Sequence, residues 1–252
     1  MSMPRIVAPE TLDCLAENDP DAMRSRRDLQ RVHLAMGTRG IMRRALGGMG
    51  LRRHGTVPLR VLELGAGDGS LMLGVAQKLK ADWPRVEITL LDRQSLVTTA
   101  TRAAYAQVGW SATVQVVDVL DWASAPSSPR QGGPVAQWDV IVANLFVHHF
   151  EGAELNTLLA AIELRTQRFF ACEPRRARLA LAGSHLIGAI GANAVTREDA
   201  VLSVHAGFQG TEISELWPGQ SGQWKVKEHS AGLFSHCFLA ERCVPEPAAT
   251  TS

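Results

Sequence analysis

The stretch Val61-Leu62-Glu63-Leu64-Gly65-Ala66-Gly67-Asp68-Gly69-Ser70 decides the fold. It joins a short apolar run, Leu59 to Leu64, to an amphipathic run, Ser70 to Lys80, whose Leu71, Val75 and Leu79 fall on one helical face. A strand, a glycine-rich turn and a helix in that order form a ligand-binding turn. Glycine lets the chain reverse sharply and lets a ligand approach main-chain N–H groups. The spacing is G-x-G-x-G, and the dinucleotide fingerprint wants a further glycine where this chain has Ser70, so a nicotinamide nucleotide is the weaker reading. Glu63 and Asp68 put negative charge beside the turn, which repels a pyrophosphate and favours a cationic ligand.

Outward from the turn, strands are expected at Val86 to Leu91, Val114 to Val117, Val140 to Ala143 and Phe169 to Cys172. Helices are expected at Gln94 to Val108 and at Glu154 to Leu164, the latter with Leu155, Leu158, Leu159 and Ile162 inward. Residues 123–137, rich in Pro, Ser and Gly, read as a surface loop. Strands separated by helices need crossover connections, and these build a right-handed parallel sheet. Beyond Cys172 an apolar helix is expected from Ala177 to Ile190. A second helix would start at the capping-box-like Thr196-Arg197-Glu198-Asp199 and end near Gly207. Two late strands, Ile213 to Trp217 and Leu233 to Ala240, would add an antiparallel edge. Upstream, residues 1–20 read as an irregular arm, Asp19-Pro20-Asp21 as a helix start, and the run to about Leu51 as helices broken near Gly37 and Gly47-Gly48. Met36 and Gly37, at the first break, are candidates for a lid.

Glu63-Leu64-Gly65-Ala66-Gly67-Asp68-Gly69 resembles motif I of the class I S-adenosylmethionine-dependent methyltransferases, and the similarity runs from about Leu59 to Cys172. S-adenosylmethionine is a cation, with a sulfonium and an ammonium group. The resemblance implies an α/β, Rossmann-like fold: a seven-stranded, mostly parallel sheet with an antiparallel last strand, plus an N-terminal helical cap. The expected division is an arm and cap over 1–55, a cofactor-binding domain over 56–245 and a tail over 246–252. The resemblance also implies a cofactor site. Glu63, Gly65, Ala66 and Gly67 would form its turn. Asp92, with Arg93 beside it, would accept the ribose hydroxyls, since a carboxylate has lone pairs for both. Asp118 and Val119 would flank the adenine, with Asp121 as an alternative acid. Asn144 and Leu145 would sit by the methionine part.

The segment Asn144-Leu145-Phe146-Val147-His148-His149-Phe150 would lie between cofactor and acceptor. Its histidine pair is similar to that of many small-molecule methyltransferases, and it lacks the acidic or Pro-Pro-Tyr/Phe pattern of DNA amino methylation. Methyl transfer needs alignment of a nucleophile and exclusion of water. A phenol, with a pKa of about 10, also benefits from a base, and histidine is the natural one. His148 and His149 are therefore the candidate base or acceptor-orienting pair, with His149 favoured; packing over the cofactor is the plainer alternative for each. Glu173 and Arg175 follow the fifth strand, on the ligand-binding edge of an open α/β sheet, and are candidate acceptor contacts. His185 would be either a pocket-wall residue or a satisfied core histidine. Arg176 and Arg178 read as solvated surface. The expected reaction is methylation of a small-molecule acceptor, at the hydroxyl of an aromatic or polyketide-like metabolite. An RNA or protein methyltransferase and a non-catalytic cofactor-binding module are the alternatives.

With 252 residues, 46% of them hydrophobic, the chain can bury a sizeable core, and its net charge of +1 gives no global attraction to nucleic acid. The charge is uneven, however: Arg24, Arg26, Arg27, Arg31, Arg39, Arg43, Arg44, Arg52 and Arg53 precede the main domain. A solvated cap, a docking face for an anionic partner and an RNA-binding strip all fit. Residues 21–53 carry no aromatic ring for base stacking, which argues against RNA. No apolar run is long enough to span a bilayer and no secretory signal is evident, so a cytoplasmic location is expected. Cys14, Cys172, Cys237 and Cys243 lie far apart with no zinc spacing, and two vicinal histidines make no metal site without a third ligand. A homodimer is compatible with the sequence.

Overall fold

The structure, a computed structural model, describes residues 3–51, 57–83, 85–126, 137–219 and 222–243. The expected domain boundary at 55, Arg52 and Arg53, most of the 123–137 loop and the tail from 246 lie outside these residues. Seven strands form one sheet in the order β3-β2-β1-β4-β5-β7-β6. They are β1 (Leu59–Leu64), β2 (Val86–Asp92), β3 (Trp110–Val116), β4 (Val140–Asn144), β5 (Arg168–Pro174), β6 (Trp224–Ala231) and β7 (Ser235–Arg242). The first five pair in parallel, and β7 runs antiparallel to both of its neighbours. The order reverses beside β1, so the carboxyl ends of β1 and β4 flank the crevice where open α/β sheets take ligands.

Alternation along β1 sends its side chains to two cores. Val61 joins Ile88, Leu90, Val140 and Val142 on one face, and Leu62 and Leu64 join Leu91, Ile141 and Ala143 on the other. The first face is covered by α3 (Thr38–Gly48), α4 (Ser70–Leu79) and α5 (Thr99–Gln107), through Met42, Leu46, Met72, Val75 and Tyr105. The second is covered by α6 (Val119–Ser124) and α7 (Gly152–Arg165), through Trp122, Leu155, Leu158 and Ile162. Each of these apolar stripes recurs at helical spacing and needs a partner face to be stable.

Over the carboxyl edge lies the cap: the one-turn α1 (Thr11–Cys14), α2 (Pro20–Met36), α8 (Arg178–Leu186) and α9 (Ala194–Ala206). Asp19 caps α2 by accepting from the amides of Asp21 and Ala22, with Pro20 at the first helical position. Gly37, at φ 67°, ends α2 and lets α3 turn away. Buried Asp28 accepts from the Asn193 amide at 2.8 Å, and Ser25 Oγ donates to Asn193 Oδ1 at 3.0 Å, so α2 is locked to the start of α9. Two arginines of the basic strip are engaged locally, Arg31 with Asp28 and Arg26 with the Glu17 carbonyl and Gln94.

Three local expectations need correction. Ile213 to Trp217 is not a strand: it falls in α10 (Glu212–Leu216) and its C-cap, and the late strand that joins β7 at the sheet edge is β6, further along. Glu228 of β6 accepts from the amides of Ile213 and Ser214, a tertiary cap that holds this short run helical. The helix expected from Thr196 begins at Ala194, because Asn193 and not Thr196 is its cap, its side chain accepting from the Thr196 amide. Arg176, expected at the surface, is 3% exposed and donates to the carbonyls of Met3 and Gly207 and to Glu212. No described helix is long and apolar enough to cross a membrane, and all four cysteines are free.

Candidate functional site

A cavity of about 400 Å³ opens at the carboxyl ends of β1, β2 and β4 and is roofed by the arm and α2. Gly65, Gly67 and Gly69 all have positive φ (65°, 55° and 73°), a region that other residues rarely enter. A Cβ on Gly65 would lie 2.2 Å from the Phe146 ring, whereas one on Gly67 would meet no atom within 4 Å and would project into free space. Gly65 is thus needed for close packing against the β4 loop, and Gly67 for the bare backbone of the turn. The Gly67 amide donates to Asp92 Oδ2 at 2.8 Å, and the Gln94 amide donates to Asp92 Oδ1 at 2.9 Å. Asp68 accepts from the Ser70 amide and from Gln30 of α2, which ties the cap to the turn.

Glu63, Gly65, Ala66, Gly67, Asp92, Arg93, Asp118, Val119, Asn144 and Leu145 all line this cavity. Asp118 caps α6 by accepting from the Leu120 amide, and Asp121, the alternative acid, does not line it. Arg93 spans to the arm, pairing with the side chain and carbonyl of Asp13. Leu145 is the one described non-glycine residue with positive φ, 48°. Such strain persists only where the surroundings impose it. Here the Leu145 amide is held by the Cys172 carbonyl at 3.0 Å.

Two buried side-chain atoms in the cavity wall lack a hydrogen-bond partner, Glu63 Oε2 and Asn144 Oδ1. Asn144 Oδ1 accepts, and the Glu63 carboxyl accepts on both oxygens once ionised, so a cationic ligand that brings donors satisfies both. Burial, with Asp68 and Asp92 nearby, pushes the Glu63 carboxyl well above the ordinary range. A bound cation would relieve that. The ammonium of S-adenosylmethionine fits this donor demand, and the carboxylates of Asp92 and Asp118 are the acceptors that would meet its hydroxyls and adenine amino group.

At the other end of the cavity a short turn, Val147–His149, carries the histidine pair. Glu173, expected to meet the acceptor, instead builds this turn from beneath. It is fully buried, lies outside the cavity wall, and its oxygens accept from the amides of Phe146, Val147 and His148. Its Oε2 also accepts from His148 Nδ1 at 2.8 Å. His149 Nδ1 donates to the Phe146 carbonyl at 2.9 Å. Both Nε2 atoms therefore face the arm residue Glu10, at 3.3 Å from His148 and 3.4 Å from His149. Asp13 Oδ2 lies 3.6 Å from His149 Nε2. Burial opposes a proton on His149, but its hydrogen bond to Glu10 and the charges of Glu10 and Asp13 outweigh it and push the pKa up to about 9. Burial likewise resists ionisation of Glu10, yet the two histidines hold its carboxyl well below the usual range. These three side chains could hold a metal ion, with ligand atoms all within 4.8 Å of one another.

The remaining acceptor candidates are elsewhere. Arg175 is half-buried outside the cavity and reaches the Gly232 carbonyl, and His185 is exposed on α8. Met36 and Gly37 also stay clear of it. The wall that α2 provides is Arg26, Leu29, Gln30 and His33, one face at helical spacing. His33 Nε2 accepts from Asn144 Nδ2 at 3.2 Å, and burial, reinforced by Arg39, lowers its pKa to about 4. That periodicity was a usable signal for His33 and Gln30. Glu10 had none, standing just ahead of the one-turn α1 in an otherwise irregular arm.

No protein-family model matches the chain, and no curated protein does. Solved structures do match. The plantazolicin methyltransferase BpumL, solved with S-adenosylhomocysteine, superposes with a TM-score of 0.62 at 13% identity, over 90% of this chain and 92% of that one. The plantazolicin methyltransferase BamL, solved with a triazolic desmethylPZN analog and S-adenosylhomocysteine, gives 0.57 at 13%, over 92% and 93%. A protein of Nostoc punctiforme PCC 73102, provisionally assigned as an O-methyltransferase, gives 0.57 at 13%, over 95% of this chain and 64% of that one.

Proposed function

From a chain that carries the Rossmann-like fold of the class I S-adenosylmethionine-dependent methyltransferases, we propose that the protein moves a methyl group from S-adenosylmethionine to the hydroxyl of a small molecule. The observation that carries this reading is the pair of unpartnered oxygens, Glu63 Oε2 and Asn144 Oδ1, in the wall beside the bare backbone of Gly67. A cationic, donor-rich ligand answers all three. An NAD pyrophosphate answers none, and it would meet the charge of Asp68 and Asp92.

When bound, S-adenosylmethionine supplies a methyl carbon on a sulfonium, a good leaving group. The protein's part is placement and exclusion of water. Asp92 and the Gly67 amide fix the turn, Asp118 and Val119 border the adenine end, and Leu145 and Phe146 border the reacting end. The histidine turn and Glu10, which both Nε2 atoms face, form the polar part of the acceptor end. The carbon–sulfur bond breaks with its electrons going to sulfur, a carbon–oxygen bond forms, and the hydroxyl proton leaves to solvent. The cavity's size and its enclosure by the arm and α2 favour a small acceptor, and the match to plantazolicin methyltransferases, one solved with a triazolic desmethylPZN analog, supports this reading. A hydroxylated aromatic or polyketide-like compound is the acceptor class proposed.

Calorimetric titration with S-adenosylmethionine, S-adenosylhomocysteine and NAD tests the cofactor. Micromolar binding of the first two only is expected. Preference for NAD, or no binding of any, overturns the reading. Incubation with labelled S-adenosylmethionine and a panel of phenols then tests transfer, and absence of transfer to pathway extracts as well would favour a binding module.

A further inference from the structure

We propose that Glu10, His148 and His149 form a binding site for one divalent transition-metal ion of the zinc type. The argument begins with the two Nδ1 atoms. A carbonyl can only accept, so His149 Nδ1 carries the hydrogen in its 2.9 Å contact with Phe146. Glu173, already accepting three amides, accepts from His148 Nδ1 as well. Both rings then turn Nε2 towards the carboxylate of Glu10, at 3.3 and 3.4 Å. Two ring nitrogens and a carboxylate thus converge on one place in the cavity wall, which a shared hydrogen holds together in the metal-free protein and which one cation can take over.

One shared ion fits that place in three respects. A tetrahedral ion with bonds of about 2.1 Å sets its ligand atoms roughly 3.4 Å apart; each ring nitrogen lies near that distance from one of the two Glu10 oxygens, and the three ligand atoms are all within 4.8 Å of one another. Metal-binding histidines characteristically donate their other ring N–H to a carboxylate or a backbone carbonyl, which fixes the tautomer, and here there is one of each. The three side chains are brought together from two remote parts of the chain and line the cavity, so a fourth position can face its interior. Two imidazoles and one carboxylate suit zinc and its first-row neighbours, whereas magnesium and calcium want all-oxygen sites. Ser203 donates to Glu10 and Arg5 holds the carbonyls of His148 and Phe150, so the ligand-bearing segments are themselves braced. The site stands apart from the methyl-transfer reading. Only its use, holding an acceptor hydroxyl at the open position, rests on that reading.

The test uses the full-length protein made without a histidine tag, stripped with a chelator and dialysed. Zinc is titrated calorimetrically, and metal content is measured by mass spectrometry after gel filtration. One zinc per chain is expected, not displaced by magnesium, and cobalt loaded on the metal-free protein should give visible ligand-field absorption that zinc abolishes. Glu10→Gln and His149→Ala should each weaken zinc by more than the roughly 10–100-fold that changes around a metal ligand bring. His149 is partly exposed, so its variant should fold, and unfolding curves of the metal-free proteins check this. No saturable zinc binding, or unchanged affinity in both variants, overturns the proposal, as does displacement by magnesium. Titration of S-adenosylmethionine into the metal-free wild type is read separately, so failure of one reading is not failure of the other.

Discussion

The Gly67 amide donates to Asp92 Oδ2 at 2.8 Å, so the carboxylate at the end of β2 shapes the glycine turn as well as facing the cavity. The same group accepts from the Gln94 amide, and a charged acceptor makes each such bond worth about 1.5–3 kcal/mol. Asp92→Ala should therefore bind S-adenosylmethionine at least about 10–100-fold more weakly, with a smaller loss for Asp92→Asn, which keeps one acceptor. Calorimetry checks this, and wild-type affinity in Asp92→Ala would remove Asp92 from the cofactor site.

Gly65 and Gly67 should fail differently. Both have positive φ, so an alanine at either strains the backbone by roughly 1–2 kcal/mol. Only at Gly65 does the new Cβ also strike a ring, that of Phe146. Gly65→Ala should lower the melting temperature well beyond Gly67→Ala, while Gly67→Val should retain the fold and lose cofactor binding. Phe146→Leu should recover part of the Gly65→Ala loss, and a double-mutant cycle in thermal unfolding measures it. Strict additivity would mean that the ring is not what the methyl group meets.

The glycine turn and the strand-end residues were legible because their positions follow from local pattern. Alternating apolar residues set β1, β2 and β4, and the residue following each strand is then at the ligand edge. What escaped was set by contacts distant in sequence. Ile213 to Trp217 is too short for its apolar pattern to separate strand from helix, and Glu228, on another element, decides it. β6 was passed over because an edge strand need not be apolar, and Val226 is 43% exposed within it. Glu173 looked available for a substrate, yet four hydrogen-bond donors of the preceding loop consume it. No residue near it in sequence indicates that use.

Glu63 should couple cofactor binding to protons. Its carboxyl is raised well above the ordinary range by burial and by Asp68 and Asp92, so the protonated form prevails in the folded, ligand-free protein from the ordinary value up to the raised one. In that window the unfolded carboxyl is ionised and the folded one is not, so the group costs stability there, and the cost grows as pH rises towards the raised value. A bound ammonium would favour the ionised form. Binding of S-adenosylmethionine should then release protons and tighten as pH rises through the window. Titrations in buffers of different ionisation enthalpy read the release directly. Glu63→Gln should abolish the release, weaken binding and raise the melting temperature of the ligand-free protein. Release undiminished in Glu63→Gln would assign the proton to another group.

The arm that carries Glu10 is fastened at a few points, and loosening one should expose what the arm does. Asp199 of α9 accepts from the amides of Thr11 and Leu12 at 2.7 and 2.9 Å, directly after Glu10. Arg5 donates to the carbonyls of Ala206, His148 and Phe150 and stacks on Phe208. Asp199→Ala removes a charged acceptor for two amides of a segment with little core of its own, so local opening should become roughly 10–100-fold more frequent while global stability changes less. Hydrogen exchange at Thr11 and Leu12 measures the opening, and protease nicking of the arm follows it. Because the arm roofs the cavity, the same variant should turn over an acceptor more slowly, with cofactor affinity less affected than in Asp92→Ala. Arg5→Ala should act in the same direction, and at the histidine turn too, since that turn's carbonyls lose their donor. Unchanged exchange at Thr11 and Leu12 in Asp199→Ala would mean that other contacts hold the arm over the cavity. Faster exchange with unaltered turnover would mean that the arm is dispensable for the reaction.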